Sequence, residues 1–549
     1  MPLLAFILLL AMQPDSTRLV ARARSAQADF ERARIFLART GAAGRDPCDA
    51  RIGRFCYSYS GGGDLPREPE SIAKERRRLL AVLDTVAHAL PGDAWVAGQR
   101  VRYLLEAGWP DSATDAARAC RATAWWCAAL EGLAWHAAGN FEAAARSFRT
   151  ALDSMPEEQR CRWSDLSDLL EDPLRRTYRR MACGERRDIE ARVWWLAQPL
   201  WSLEGNDRRT EHFARLTMTR LLEEARWALG EWGDDARELV VRYGWPLAWE
   251  RDDCGGGCTP IPLGYLREPS FHFVPEPHAF DAGLPDDAGG ALEEQSARER
   301  YAPAYATSFK TLEPVFAAFR RGDSTLVVAS YDVSRDTSFQ DSGLVAAVVL
   351  ARDGQSPEIV TRRPGAKDAG ALVAGVAWEP ALASLELLAP EHRAAARARV
   401  RLAPLAPPPG TVTLSGILLF EPAESLPADL PAALARVHAG GIPVGDRIGV
   451  YWEAYGLAPG ATVSTSVTVT PVRRSWLRRL ASSLGLAPKI GSVRLEWPGT
   501  AQPPQGGAPG AVVLDLAGLR AGRYRLDVTV SQDGRASAAS SRHVDVIER

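Results

Sequence analysis

Lysine is almost missing from this 549-residue chain: it stands only at 74, 310, 367 and 489, so nearly all the positive charge is arginine. The 66 basic residues face 68 acidic ones, are spread along the chain, and leave a formal charge of -2 at pH 7. That balance gives no basic footprint for nucleic acid, and the arginine content reads as coding bias. Long hydrophobic runs are lacking too. The apolar stretch Leu3 to Met12 falls well short of the roughly 20 residues that a helix needs to cross a bilayer. Signatures of catalysis and nucleotide binding are absent: there is no G-x-S-x-G, no H-E-x-x-H, no phosphate loop ending in G-K-[ST] and no G-x-G-x-x-G. The eight histidines are scattered, no C-x-x-C pair occurs, and no cysteine follows the apolar stretch, which argues against a zinc knuckle and against lipid attachment. The expectation is a protein that is not an enzyme, with no cofactor and no metal.

What is present describes a soluble, multidomain chain. Hydrophobic residues make up 46% and charged residues 24%, ordinary values for globular proteins, and the length is too great for one core. Residues 1–14 suit the apolar core of a secretory signal or an N-terminal anchor. The eight cysteines fall into sequence-local pairs, Cys48 with Cys56, Cys120 with Cys127, Cys161 with Cys183 and Cys254 with Cys258. An even count behind an export signal argues for disulfides and for a periplasmic or secreted location.

Residues 15–186 read as a helical domain. Gly132, Trp135, Gly139, Ala144, Phe148, Ala151 and Pro156 match the spacing of the tetratricopeptide repeat (TPR), with Trp for Tyr. Small residues there let two antiparallel helices approach, and Trp135 and Phe148 fill the space between them. Trp95 to Cys120 fits the same helix pair more loosely, and helices at 25–37, 68–90 and 164–180 complete the stack.

Residues 187–280 carry a dense tryptophan entry and a helix from Arg208 to Leu229, capped by Asn206 or Asp207. Then comes E-W-G-D-D-A-R-E-L-V-V-R-Y-G-W-P, in which Leu239 to Tyr243 reads as a strand stopped by Gly244 and Pro246. Trp232, Asp235, Tyr243, Gly244 and Pro246 stand in the places of the motif of the GWxTD domain of bacterial secreted proteins, which this stretch resembles; Glu231, Asp234 and Trp245 replace its first Gly, Thr and Pro. The resemblance implies a small mixed α/β domain beside TPR-like repeats, and no particular activity.

Residues 281–309 are acidic and weakly periodic, a linker. Beyond it the hydrophobic period becomes two, with strands separated by Gly, Asp and Pro turns, as in a β-sandwich over 310–405 and a second over 410–549. In the second, Leu519 to Tyr524 looks like the tyrosine corner of immunoglobulin-like (Ig-like) domains. Arg474 to Leu486 reads as a short helix with Trp476, Leu477 and Leu480 on one face and Arg474 and Arg478 on the other, suited to capping the sandwich or to lying on an anionic membrane surface. The expected fold class is multidomain α+β: a TPR-like helical region, a small GWxTD-like domain and two Ig-like β-sandwiches.

Two polar constellations offer chemistry. His272, Glu276 and His278 provide metal-ligand types, although Pro275 and Pro277 hold them extended. Glu211, His212 and Asp235 lie near one another in sequence and make an alternative, enzymatic reading. The favoured function is an exported, non-enzymatic scaffold that offers a concave helical groove to a protein or peptide. Peptide mapping of the unreduced protein is expected to find the eight cysteines in bridges; free thiols at all eight would remove the pairing and the support for export.

Overall fold

The computed structural model describes residues 16–40, 50–57, 67–227, 230–252, 261–265, 270–280, 284–285, 292, 297–313, 316–340, 343–352, 356–377, 379–402, 411–472, 492–501, 507–533 and 535–548. A helical region precedes a β-rich region with several sheets. The chain divides into two compact units, residues 1–282 with 290–309, and 283–289 with 310–549.

In the first unit the helices are α1 (Ser16–Leu37), α2 (Glu70–Ala89), α3 (Ala94–Glu106), α4 (Pro110–Arg118), α5 (Ala124–Ala137), α6 (Phe141–Ser154), α7 (Glu157–Ser164), α8 (Leu174–Arg180), α9 (Arg187–Ala197), α10 (Asp207–Glu223) and α11 (Asp234–Tyr243). Local sequence sets several boundaries. The side chains of Asp93, Asn140 and Asn206 accept from the backbone N–H groups of Val96, Ala143 and Arg209 at 2.9, 3.0 and 2.9 Å, capping α3, α6 and α10. Pro110 opens α4, where its missing N–H costs nothing. Between α5 and α6 the approach is close enough that a Cβ at Gly132 would lie 2.8 Å from the Phe148 ring. Disulfides join Cys120 to Cys127 and Cys161 to Cys183, a chemistry that persists in oxidising compartments outside the cytosol. Cys48, Cys254, Cys258 and the side chain of Cys56 lie outside the described residues. Among the described residues no helix is long and apolar enough to cross a membrane.

Three expectations are corrected. Leu239 to Tyr243 is helical, the second half of α11. Ala236, Leu239, Val240 and Tyr243 are buried at helical spacing, Asp234 and Asp235 sit in the first turn where the dipole favours them, and Gly244 ends the helix at φ +94°. The apolar trio Leu239-Val240-Val241 imitates a strand only when its flanks are ignored. Within 164–180 the chain is helical only at Ser164, the end of α7, and over Leu174–Arg180; between them the Asp165 carboxylate turns the chain by accepting from Ser167 N–H at 2.8 Å. Residues 297–301, placed by sequence in a linker, are largely interior: Ala297, Glu299, Arg300 and Tyr301 are all buried.

That interior position rests on charge. Glu299, fully buried, accepts from Arg208 Nε and Nη2 at 2.9 and 2.6 Å, from His272 Nδ1 at 2.9 Å and from the Phe273 and Val274 N–H groups at 3.0 and 3.1 Å. Burial opposes its charge, but Arg208 and His272 outweigh this and hold the carboxyl well below the usual range. A second buried cluster links α1 and α3: Glu31 accepts from Arg102 at 3.0 Å and Tyr103 at 2.5 Å, while Glu106 accepts from Arg102 at 2.9 Å and pairs with Arg34.

In the second unit, β5 (Phe316–Arg321), β6 (Ser324–Asp332), β7 (Val345–Ala351), β8 (Glu358–Pro364), β9 (Ala369–Ala377), β10 (Ala381–Ala389) and β11 (Ala394–Leu402) form two sheets, in the orders β8-β7-β10-β11 and β9-β6-β5. Ala329, Tyr331 and Leu372 of one sheet share a core with Val348, Leu385 and Leu387 of the other. Then follow β12 (Leu418–Phe420), β13 (Arg447–Tyr455), β14 (Thr462–Pro471), β15 (Val493–Thr500), β16 (Ala508–Asp515), β17 (Gly522–Gln532) and β18 (Ala538–Ile547). Here β13 pairs with β12 and β16, and β18, β17, β14 and β15 lie side by side. The two halves are not separate beads: Phe319 and Val328 share a core with Leu418, Phe420 and Tyr451, and Arg321 binds Glu453 through both oxygens at 2.7 and 2.8 Å. The Tyr524 hydroxyl donates to the Arg520 carbonyl at 2.9 Å and accepts from its N–H at 3.2 Å.

Removing one partner of a buried ion pair strands the other charge. Glu299→Ala is expected to cost about 3–5 kcal/mol in urea unfolding, with the double variant Arg208→Met/Glu299→Leu recovering most of that loss; a single variant within about 1 kcal/mol of wild type contradicts the assignment.

Candidate functional site

The first unit contains a cavity of about 360 Å³. One wall comes from the helices, with Arg76 of α2, Glu106 of α3, His136 of α5, Phe141 of α6, and Glu211 and Arg215 of α10; the facing wall is the segment Tyr243 to Trp249, with Arg300 and Tyr301.

Glu211 lies at the centre of its polar groups. Its two oxygens are taken separately: Oε2 lies 2.7 Å from His136 Nε2, and Oε1 accepts from Arg215 Nε at 2.8 Å. Burial opposes the charge, but Arg215 and His136 prevail and hold the carboxyl well below the ordinary range. Arg215 is itself fixed, donating to the carbonyls of Val241, Arg242 and Arg300 at 3.2, 2.8 and 2.8 Å. His136 Nδ1 meets the Thr210 hydroxyl at 2.9 Å. At the cavity's other end Arg76 donates to Glu68 at 2.8 Å. For Glu106, burial alone would raise the carboxyl, yet Arg34 and Arg102 hold it at about 2. The carboxylates of the cavity are thus each engaged by a basic side chain, and the aromatic rings of Phe141, Tyr243, Trp245, Trp249 and Tyr301 supply the apolar lining.

The three residues of the enzymatic reading do not converge. Glu211 faces the cavity, whereas His212 is buried with its ring 5.0 Å from that of Trp194. Burial first, then Arg208 and Arg215, push the His212 imidazole well below its usual range and leave it neutral. Asp235 lies at the start of α11, where Oδ2 accepts from Arg54 N–H at 3.3 Å and pairs with its side chain at 3.4 Å. The metal-ligand candidates part in the same way: His272 is buried against Glu299, while His278 is exposed and meets Glu276 at 3.5 Å. Among the described residues no group of three or more His, Cys, Asp or Glu is placed to hold a metal ion.

The motif residues act as a clasp. A hairpin of β1 (Ala50–Ile52) and β2 (Phe55–Tyr57) lies on α11, and beyond that helix β3 (Ala248–Asp252) pairs antiparallel with β4 (Ile261–Tyr265). Asp235 seats its turn, where a Cβ at Gly53 would come 2.5 Å from the Asp235 Cβ, and Tyr243 stacks on Tyr57 with centroids 4.1 Å apart. Gly244 holds a φ of +94° that favours glycine, Pro246 is buried on the cavity wall, and Trp232 is half-buried with its ring 5.0 Å from that of Trp227. Trp476, Leu477, Leu480, Arg474 and Arg478 lie outside the described residues.

Sequence reasoning found Glu211 but missed His136 and Arg215 as its partners. Arg215 was legible as the i+4 neighbour of Glu211 on one helix; His136, 75 positions away, was not.

No family model and no curated protein matches the chain. Among solved structures it is similar to red sea bream transglutaminase, at 11% identity over 43% of this chain with a TM-score of 0.15, and to the FN1–FN3 domains of chicken CNTN1, at 12% identity over 46% of this chain with a TM-score of 0.16. The chain spans 31% of the length of the first and 71% of the second.

Beside this cavity Asp207 is buried, and burial pushes its carboxyl up to about 6 despite its neighbours Tyr301 and His136. A folded pKa above the unfolded value of about 3.9 means that the group's stability contribution is complete below pH 4 and lost as the pH rises through 6. Asp207→Asn is therefore expected to leave urea stability unchanged at pH 4 and to raise it by about 2–3 kcal/mol at pH 8; an equal difference at both pH values refutes the assignment.

Proposed function

We propose that this chain is an exported, non-enzymatic binding protein of the bacterial cell envelope, whose helical unit receives a segment of a protein or peptide partner in the cavity between α2, α3, α5, α10 and the Tyr243–Trp249 segment. The observation that carries this reading is the composition of that cavity: aromatic walls enclosing carboxylates already held by basic side chains. A volume of about 360 Å³ lies in the range of small binding sites and suits one or two side chains of an incoming segment. Acid–base chemistry draws on an imidazole or carboxylate free to exchange protons with a substrate; here both oxygens of Glu211 are engaged by Arg215 and His136.

The finer reading of the fold belongs to the same proposal. Helix pairs with Gly132 against Phe148 support a TPR-like repeat, the Asp235 and Tyr243 contacts give the GWxTD-like motif a structural part in holding the hairpin, and paired sheets with the Tyr524 corner support Ig-like modules. Two disulfides support export.

Affinity capture from envelope extract with the full chain, repeated with Phe141→Ala/Trp245→Ala, tests the reading. Both side chains are half-buried on the cavity wall, and aromatic anchors of this kind carry a disproportionate share of binding energy. The expected result is a reproducible partner whose affinity falls at least tenfold in the double variant; a partner held equally well by both proteins places the binding surface elsewhere.

A further inference from the structure

Strand β18 follows a period of two, and Ala538, Val544 and Val546 on one of its faces are buried. Residue 542 belongs to that same row, and the register sets it opposite Leu526, a buried core residue. The residue there is arginine. Its Nη1 donates to the Ile417 carbonyl at 3.2 Å, its Nε is buried without a partner, and among the described residues no carboxylate pairs with it. Burial, with nothing opposing it, pushes the guanidinium down to about 10.

Arg542 lines a groove of about 920 Å³ inside the second unit, together with Tyr331, Ile417, Gly440, Gly441 and His543. The acidic groups of that groove are already engaged. Asp545 pairs with Arg523 at 2.9 Å, Glu313 with Arg523 at 3.1 Å and Asp336 with Lys310, while Asp332 accepts from the Ser334 N–H and hydroxyl at 2.9 and 2.6 Å. Arg335, exposed on the groove, adds a second positive charge. Arg542 as a whole is half-buried, but its buried Nε is a donor left unsatisfied on a cation without a counter-charge, and such a donor in a folded protein calls for a partner.

We propose that this groove is a binding site for an oxyanion, a carboxylate or a phosphate carried by a small ligand, with Arg542 as the group that receives it. The planar guanidinium fork suits both anions. A competing role exists for an inward-pointing charge on a strand near a sheet edge, namely to discourage a foreign strand from pairing. The outer side of β18 is bridged to Ile442 and Pro443 only at Val546 and Ile547, so the experiment must separate the two roles.

The full chain is titrated with inorganic phosphate and, separately, with succinate, at an ionic strength held constant with sodium chloride, and thermal unfolding and calorimetry are recorded. The wild-type protein is expected to gain several degrees in Tm with at least one probe; stabilisation by phosphate alone, or by succinate alone, assigns the anion class within the proposal. Arg542→Gln is expected to bind that probe at least tenfold more weakly while its urea midpoint stays level or rises, and Arg542→Lys to keep part of the affinity. A readout without substitution is phenylglyoxal labelling of the wild-type protein with peptide mapping, in which the bound probe should shield Arg542. No response beyond chloride, an undiminished response in Arg542→Gln, or labelling of Arg542 indifferent to the probe overturns the proposal; self-association of Arg542→Gln with unchanged anion binding also overturns it and assigns the edge-guarding role.

Discussion

A guanidinium group carried into a protein interior must satisfy five donors and one charge, and that requirement decides where distant segments of the helical unit come to rest. Arg208 fixes Glu299 and with it the stretch from Ala297 to Tyr301. Arg215 gathers the end of α11 and the Arg300 carbonyl onto α10. Arg102 and Arg34 hold α1 to α3 through Glu31 and Glu106. Each pair adds modest net stability when formed, because desolvation offsets attraction, yet losing one partner is severe. The arrangement therefore tolerates little variation in register, a useful property for walls that must stand opposite each other across a cavity.

That same requirement explains what could be read from the sequence and what could not. Periodic apolar positions announced most helices and strands: Gly132 and Phe148 come into contact across α5 and α6, and β6, β7, β9 and β10 fall on apolar stretches separated by turn residues. The cap of α10 was legible because Asn206 and the N–H it receives are local. The buried role of Arg208 was not legible, since its carboxylate partner is 91 positions away and nothing near it in sequence reveals the pairing. Leu239 to Tyr243 failed for a related reason: three adjacent apolar residues suggested a strand, whereas the helix is written in Ala236, Leu239, Val240 and Tyr243 with Gly244 as its stop.

The candidate site was half visible. Glu211 was singled out for its polarity, but adjacency in sequence misassigned its companions. On a helix consecutive side chains diverge by about 100°, so His212 turns into the apolar interior beside Trp194 while Glu211 faces the cavity. Contacts on the cavity side come instead from i+4 on the same helix and from α5. The second groove, around Arg542, was marked by a break in the alternation of β18, where a charge occupies a position that the period assigns to the core.

The hairpin on α11 grips that helix at two places, the Gly53–Asp235 seat near its start and the Tyr57–Tyr243 stack at its end. These lie eight residues apart, about 12 Å along the axis at 1.5 Å per residue. Two attachments so far apart act as a pair of dowels: sliding the helix by one turn or rolling it about its axis would unseat both at once. The Tyr243–Pro246 rim that follows is therefore delivered to its place with a fixed height and a fixed bearing.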